Sequence, residues 1–148
     1  MLLSTLQLRS KVSQVDDVAD EPTASVLIAE PEHATREAMA RSLTRKGCRV
    51  TTVANGVEAL EAIRGQSFDV IVADLRLPER GALWLWRETL VLRRELRGRF
   101  LFLSSEPRPP HLGDFIEAEG FLLKPVLMDT LWSEMQKIIR RAQDRDSG

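Results

Sequence analysis

Apolar residues in this chain gather in short unbroken runs, each closed by a polar residue. Val26-Leu27-Ile28-Ala29 is closed by Glu30, Phe68-Asp69-Val70-Ile71-Val72-Ala73 by Asp74, Phe100-Leu101-Phe102-Leu103 by Ser104 and Ser105, and Phe121-Leu122-Leu123 by Lys124-Pro125. Continuous runs of this length suit strands covered on both faces, as in a parallel sheet. The more polar stretch Cys48 to Ala54 predicts a fifth strand nearer an edge. Between the runs, apolar positions recur at helical spacing over 35–45, 57–64, 82–97, 112–119 and 127–141. Gly47, Gly65, Gly98 and Gly120 follow the first four, and glycine is a favoured helix stop. Strand and helix thus alternate, which predicts an α/β, doubly wound, five-stranded parallel sheet with right-handed crossovers. In the 82–97 helix, Leu85, Trp86 and Leu92 form the buried stripe, while Trp84 falls with Glu88, Val91 and Glu95 on the outer one. Trp84 is therefore a candidate partner contact, or else a ring shielded by neighbouring arginine stems.

Length and composition narrow the function classes. The 148 residues hold one domain, expected over 25–143, with tails over 1–24 and 144–148. In the first tail Leu8, Val12, Val15 and Ala19 have helical spacing, so it reads as a flexible segment or a short amphipathic helix. Twenty-one basic residues against 22 acidic ones leave no global basic field, and no nucleic-acid partner is expected. No apolar run reaches the roughly 20 residues of a membrane span, and the N-terminus lacks the order of a secretory signal. A cytoplasmic location with no membrane insertion is the expectation. Cys48 is the only cysteine, and His33 and His111 lie far apart, which excludes an internal disulfide and a Cys/His zinc cluster.

In an open α/β sheet the active crevice lies beyond the carboxyl ends of the strands. Glu30, Glu32, Asp74, Ser104, Ser105 and Lys124 all terminate predicted strands and should share that rim. Carboxylates crowded in one site favour a divalent cation, and Mg2+ suits carboxylate oxygens with positions left for phosphate. A lysine and a hydroxyl opposite would serve a transferring phosphoryl group, and a carboxylate can itself accept one. Asp74 is the best placed acceptor, because it follows the most apolar run. Plain capping competes for Glu30 and Glu32, since acids are favoured at a helix N-terminus. Ser104 could equally satisfy a strand end.

From about Ser25 to Arg141 the chain resembles the receiver domain of two-component response regulators. The resemblance lies in Val26-Leu27-Ile28-Ala29-Glu30, Ala54-Asn55-Gly56-Val57-Glu58-Ala59-Leu60, Asp69-Val70-Ile71-Val72-Ala73-Asp74-Leu75-Arg76-Leu77-Pro78, Ser104, and Gly120-Phe121-Leu122-Leu123-Lys124-Pro125. It implies the flavodoxin-like (βα)5 fold and a signalling module rather than an enzyme. Asp74 would be the phosphoacceptor, Ser104 and Lys124 would bind the phosphoryl group, and Phe121 would occupy the aromatic switch position. Asp74, Glu30 and the Arg76 backbone carbonyl would hold Mg2+. Lys124-Pro125 would be the pair often joined by a cis bond. The implied partners are a histidine kinase or phosphotransfer protein as donor, a downstream protein, and a second copy through the last helix. One departure is chemical: where receivers place two adjacent acids, this chain reads Glu30-Pro31, which should weaken the cation site. It opens an alternative, a phosphorylation-independent pseudo-receiver that acts as a protein interaction module. The 104–124 segment is also proline-rich and shorter than family usage, and the Gly81 loop is trimmed.

Overall fold

The computed structural model describes residues 22–108 and 117–147. In chain order they form β1 (Ser25–Ala29), α1 (His33–Arg45), β2 (Arg49–Val53), α2 (Gly56–Gly65), β3 (Val70–Asp74), α3 (Gly81–Leu92), a 3-10 turn (Arg94–Leu96), β4 (Phe100–Ser104), β5 (Gly120–Leu123) and α4 (Met128–Ser147). All five strands are parallel, in the order β2-β1-β3-β4-β5. The polar strand β2 stands at an edge, where it needs cover on fewer sides.

Successive residues of a strand face opposite sides, so each apolar run feeds two cores. Leu27, Ile71, Phe100 and Phe102 pack with Ala59 and Ile63 of α2 and with Leu85 and Trp86 of α3. Val26, Ile28, Val72 and Leu101 pack on the other face with Met39 and Leu43 of α1 and with Leu131 and Met135 of α4. This is why the central runs show no polar alternation.

Two local devices fix the chain near the strand ends. Asn55 Oδ1 accepts from the Glu58 amide at 2.8 Å, and Glu58 Oε1 accepts from the Ala54 amide at 3.1 Å, a reciprocal cap on α2. Gly56 lets this helix start abut the loop after β3: its amide donates to Pro78 O at 3.0 Å, and a Cβ there would stand 2.7 Å from Glu79 O. That loop turns through left-handed backbone at Glu79, Arg80 and Gly81, with φ of 59, 82 and 74°.

Several expectations need correction. The 82–97 helix stops at Leu92, because Arg93 leaves helical geometry and donates instead to Ile63 O at 3.1 Å and Gln66 O at 2.8 Å at the end of α2. Leu92, expected on the buried stripe, is exposed, as is Val57 of α2, whereas Leu96 is buried by way of the 3-10 turn. Of the 112–119 helix, residues 112–116 lie outside the described residues; 117–119 form a turn, and Gly120 opens β5 instead of closing a helix. The last helix runs on to Ser147, into the stretch expected as a tail. Arg145 anchors it by donating to Arg97 O at 3.1 Å, and Asp146 sits 3.8 Å from Arg99. The amphipathic pattern within 1–21 lies outside the described residues.

Candidate functional site

The carboxyl ends of β1, β3 and β5 deliver Glu30, Asp74 and Lys124 to one cleft of about 800 Å³. Glu30 is 1% exposed and Asp74 6%. The Lys124 ammonium donates to both, to Glu30 Oε1 at 2.9 Å and to Asp74 Oδ2. The remaining oxygens of the two acids are also engaged, Glu30 Oε2 by the Glu32 amide at 3.0 Å and Asp74 Oδ1 by the Arg76 amide at 2.7 Å. Two buried anions thus share one cation and two backbone donors, which offsets their desolvation and mutual repulsion. Burial alone would push the Lys124 ammonium down; its hydrogen bonds to Asp74 and Glu30, with their charges, outweigh that and hold its pKa above the ordinary lysine value.

Glu32 stands just before α1 and gives the helix no side-chain cap; its Oε1 accepts from the Thr35 hydroxyl instead. Pro31 lines the cleft between the two acids of the chain segment, supplying an apolar wall and no oxygen ligand from its side chain. Ser104, buried at the end of β4, is turned toward its own loop: its hydroxyl donates to Glu106 O at 2.8 Å and accepts from the Glu106 amide at 3.0 Å. Phe121 sits on β5 in register with Phe102 and is half-buried against the α2/α3 core. Lys124-Pro125 is cis, as the resemblance implied. Trp84 is not fully outward: it is half-buried, with the Arg80 guanidinium 5.4 Å from its ring centre.

Two residues of the structure carry more than their sequence signal promised. Arg36 donates to Glu30 O at 2.8 Å and to Pro31 O at 3.3 Å, placing a guanidinium on the turn that presents Glu30. Glu119, a buried carboxylate at the opposite end of the sheet, accepts from the Trp86 indole at 3.1 Å, the Gly98 amide at 2.8 Å and the Phe100 amide at 2.9 Å. It pins the start of β4 and the flank of α3 to the entry of β5. An acid next to a strand-opening glycine carries no pattern that distinguishes it from a surface turn.

As a cation site, the cleft offers the carboxylates of Glu30 and Asp74, with Arg76 on its wall. Among the described residues no group of three or more His, Cys, Asp or Glu could hold a metal. That set still fits Mg2+, which commonly takes one or two carboxylates and fills its remaining positions with water and substrate phosphate.

Comparison with known proteins places this geometry. The family model described as the response regulator receiver domain matches residues 26–136. Response regulator MprA of Mycobacterium bovis is 27% identical over 122 residues, covering 82% of this chain and 53% of its own. MprA of Mycobacterium ulcerans is 28% identical over 121 residues, covering 82% and 52%. The chain therefore spans about half the length of the curated relatives it matches. The chemotaxis response regulator CheY4 of Vibrio cholerae superposes with a TM-score of 0.70 at 27% identity, over 78% of this chain and 98% of that one. The receiver domain of a sensor histidine kinase from Pseudomonas aeruginosa, with a magnesium ion coordinated in its active site cleft, has a TM-score of 0.70 at 24% identity, over 79% and 98%. No helix among the described residues is long and apolar enough to cross a membrane. With its parallel sheet, its acid-lysine cleft at the strand ends and a family match over most of its length, this chain belongs to the response regulator receiver domain family.

Proposed function

We propose that the protein accepts a phosphoryl group on Asp74 from a histidine kinase or phosphotransfer protein and passes the change to a protein partner. The observation that carries this reading is the Lys124 ammonium held between Asp74 and Glu30 in an accessible cleft. In the transfer, the P–N bond of a phosphohistidine breaks, a P–O bond to an Asp74 carboxylate oxygen forms, and the imidazole leaves with the bonding electrons. Lys124 lies against Asp74 and offers charge to the arriving group's oxygens. The Arg76 amide orients the carboxylate through Oδ1. Glu30, Asp74 and the Arg76 carbonyl would hold Mg2+, which in phosphoryl transfer neutralises developing charge. Ser104 has to release Glu106 to reach the phosphoryl group, and Phe121, which lacks a tyrosine hydroxyl, takes part through packing alone.

Pro31 favours a second reading, an interaction module that works without phosphate, since one carboxylate fewer weakens the cation site. One experiment separates the two. The protein is incubated with Mg2+ and a small phosphodonor such as acetyl phosphate, and intact mass is measured beside Asp74→Asn. A gain of one phosphate that vanishes in the variant supports the first reading. No gain at any Mg2+ concentration refutes it and leaves the module.

A further inference from the structure

The phosphoryl chemistry leaves unused a second concavity, about 370 Å³, between the first turn of α3 and the loop after β4. Arg76, Arg80 and Arg87 line it with Trp84, Ser105 and Glu106. All three arginines are exposed. None of the three has an ion-pair partner among the described residues. Arg80 rests on the Trp84 ring, and Arg76 makes only a long contact of 3.4 Å to Ser105 Oγ. Against three guanidinium groups the lining sets one carboxylate, Glu106, so the groove is net positive on a chain whose overall charge is minus one. Unpaired guanidinium groups are forked donors suited to carboxylates, and they remain weakly hydrated enough to give up water at an interface. Trp84 and Arg80 also border a second groove beside α2, where the exposed Val57 and the buried Leu60 lie among Glu61, Arg64 and Glu88. A polyphosphate backbone suits the site less well: the basic patch is short and it contains an acid.

We propose that this groove docks an acidic segment of a partner protein, with carboxylates on Arg76, Arg80 and Arg87 and an apolar side chain against Trp84. The proposal rests on the reading of the chain as a receiver that signals by protein contact, and not on whether Asp74 takes phosphate. Ser104 lines the same groove and holds the main chain of Glu106 in both directions, so a Ser104 that turns toward Asp74 loosens one wall of the docking site.

The test uses the full chain and a fluorescein-labelled peptide of repeating Glu-Glu-Leu units, titrated by fluorescence anisotropy, with the binding site mapped by 15N NMR. The peptide is expected to bind more weakly as salt rises, to shift the Trp84 indole and the Arg76 and Ser105 amides, and to leave Arg97 and Arg145 unmoved. The double variant Arg80→Asn/Arg87→Ala, in which asparagine tolerates the left-handed backbone at 80, should lose about tenfold in affinity or more. Arg87→Lys should retain most of it. Absence of binding, binding unchanged in the double variant, or shifts gathered at Arg94–Arg99 would overturn the proposal. So would a single-stranded oligonucleotide of matched charge that binds more tightly than the peptide. Intact mass after acetyl phosphate treatment of the same sample reads the Asp74 chemistry separately. Peptide binding without phosphate gain keeps the groove and removes the phosphoacceptor reading, and phosphate gain without peptide binding does the reverse.

Discussion

Replacing Lys124 by methionine removes the cation from two buried acids while keeping an unbranched stem one atom shorter. Side-chain exposure is 2% for Glu30, 8% for Asp74 and 22% for Lys124, so water replaces the lost ammonium poorly. Removing one partner of a buried pair costs about 3–5 kcal/mol. Here the cleft is open on one side, and the backbone donors Glu32 and Arg76 stay in place, which puts the expected loss at the low end, about 3 kcal/mol at pH 7. For a chain of this size that is a fall in Tm of roughly 6–12 °C. Urea unfolding followed by tryptophan fluorescence measures it. A second signature lies on the alkaline side. Because the folded pKa of Lys124 is raised above its ordinary 10.5, the pair's stabilisation is complete below that pH and is lost as pH climbs through the folded value. The buried thiol of Cys48, pushed up mainly by burial, also removes stability above its ordinary 9.0, because the unfolded chain releases that proton first. The comparison is therefore the difference between wild type and Lys124→Met, and the absence of tyrosine keeps that difference simple to read. A loss under about 1 kcal/mol at pH 7, the level of an exposed ion pair, or a loss that does not change with pH, would refute the idea that this lysine neutralises two desolvated acids.

Three further outcomes follow from neighbouring features. Glu119→Ala leaves the Trp86 indole and the Gly98 and Phe100 amides without their acceptor, and at about 1–3 kcal/mol per buried orphan the loss should reach about 3 kcal/mol or more, with a changed near-UV signal from Trp86; a loss below 1 kcal/mol on that scale contradicts the role given to it. Gly56→Ala, normally a gain within a helix, should destabilise by about 1–3 kcal/mol in thermal melts, because the new methyl meets Glu79 O at 2.7 Å; a rise in Tm would show that the loop yields freely. Pro31→Asp adds an oxygen ligand to the cleft and should tighten Mg2+ by about tenfold, or about 1.4 kcal/mol, in calorimetric titration, and an unchanged titration would mean that position 31 does not face the cation.

The sheet was legible because the central runs are apolar on both faces, a pattern that few alternatives share. The rim was legible for the same reason: the residue that closes each run must stand at a strand end, and strand ends of one parallel sheet meet. Direction within the rim was not legible. Spacing puts Ser104 at the rim but does not say that its hydroxyl would turn to Glu106, or that Ser105 rather than Ser104 would line the acid-lysine cleft, a choice made by the backbone of that loop. The helix over 82–97 misled in the same way. Its apolar period continues through Leu96, yet Arg93 finds two carbonyls at the end of α2, and that capture ends the helix at Leu92. Glu119 and Arg36 escaped because their partners, the Trp86 indole apart, are mostly main-chain atoms distant in sequence or hidden in a turn, and side-chain patterning is blind to those.

The ammonium of Lys124 is a counterion held in common. A group that draws it away leaves Glu30 Oε1 without this donor in a place that water scarcely reaches, with only the Glu32 amide still on Oε2. Any change of charge at Asp74 therefore bears on Glu30 as well, the residue that closes β1 just ahead of α1.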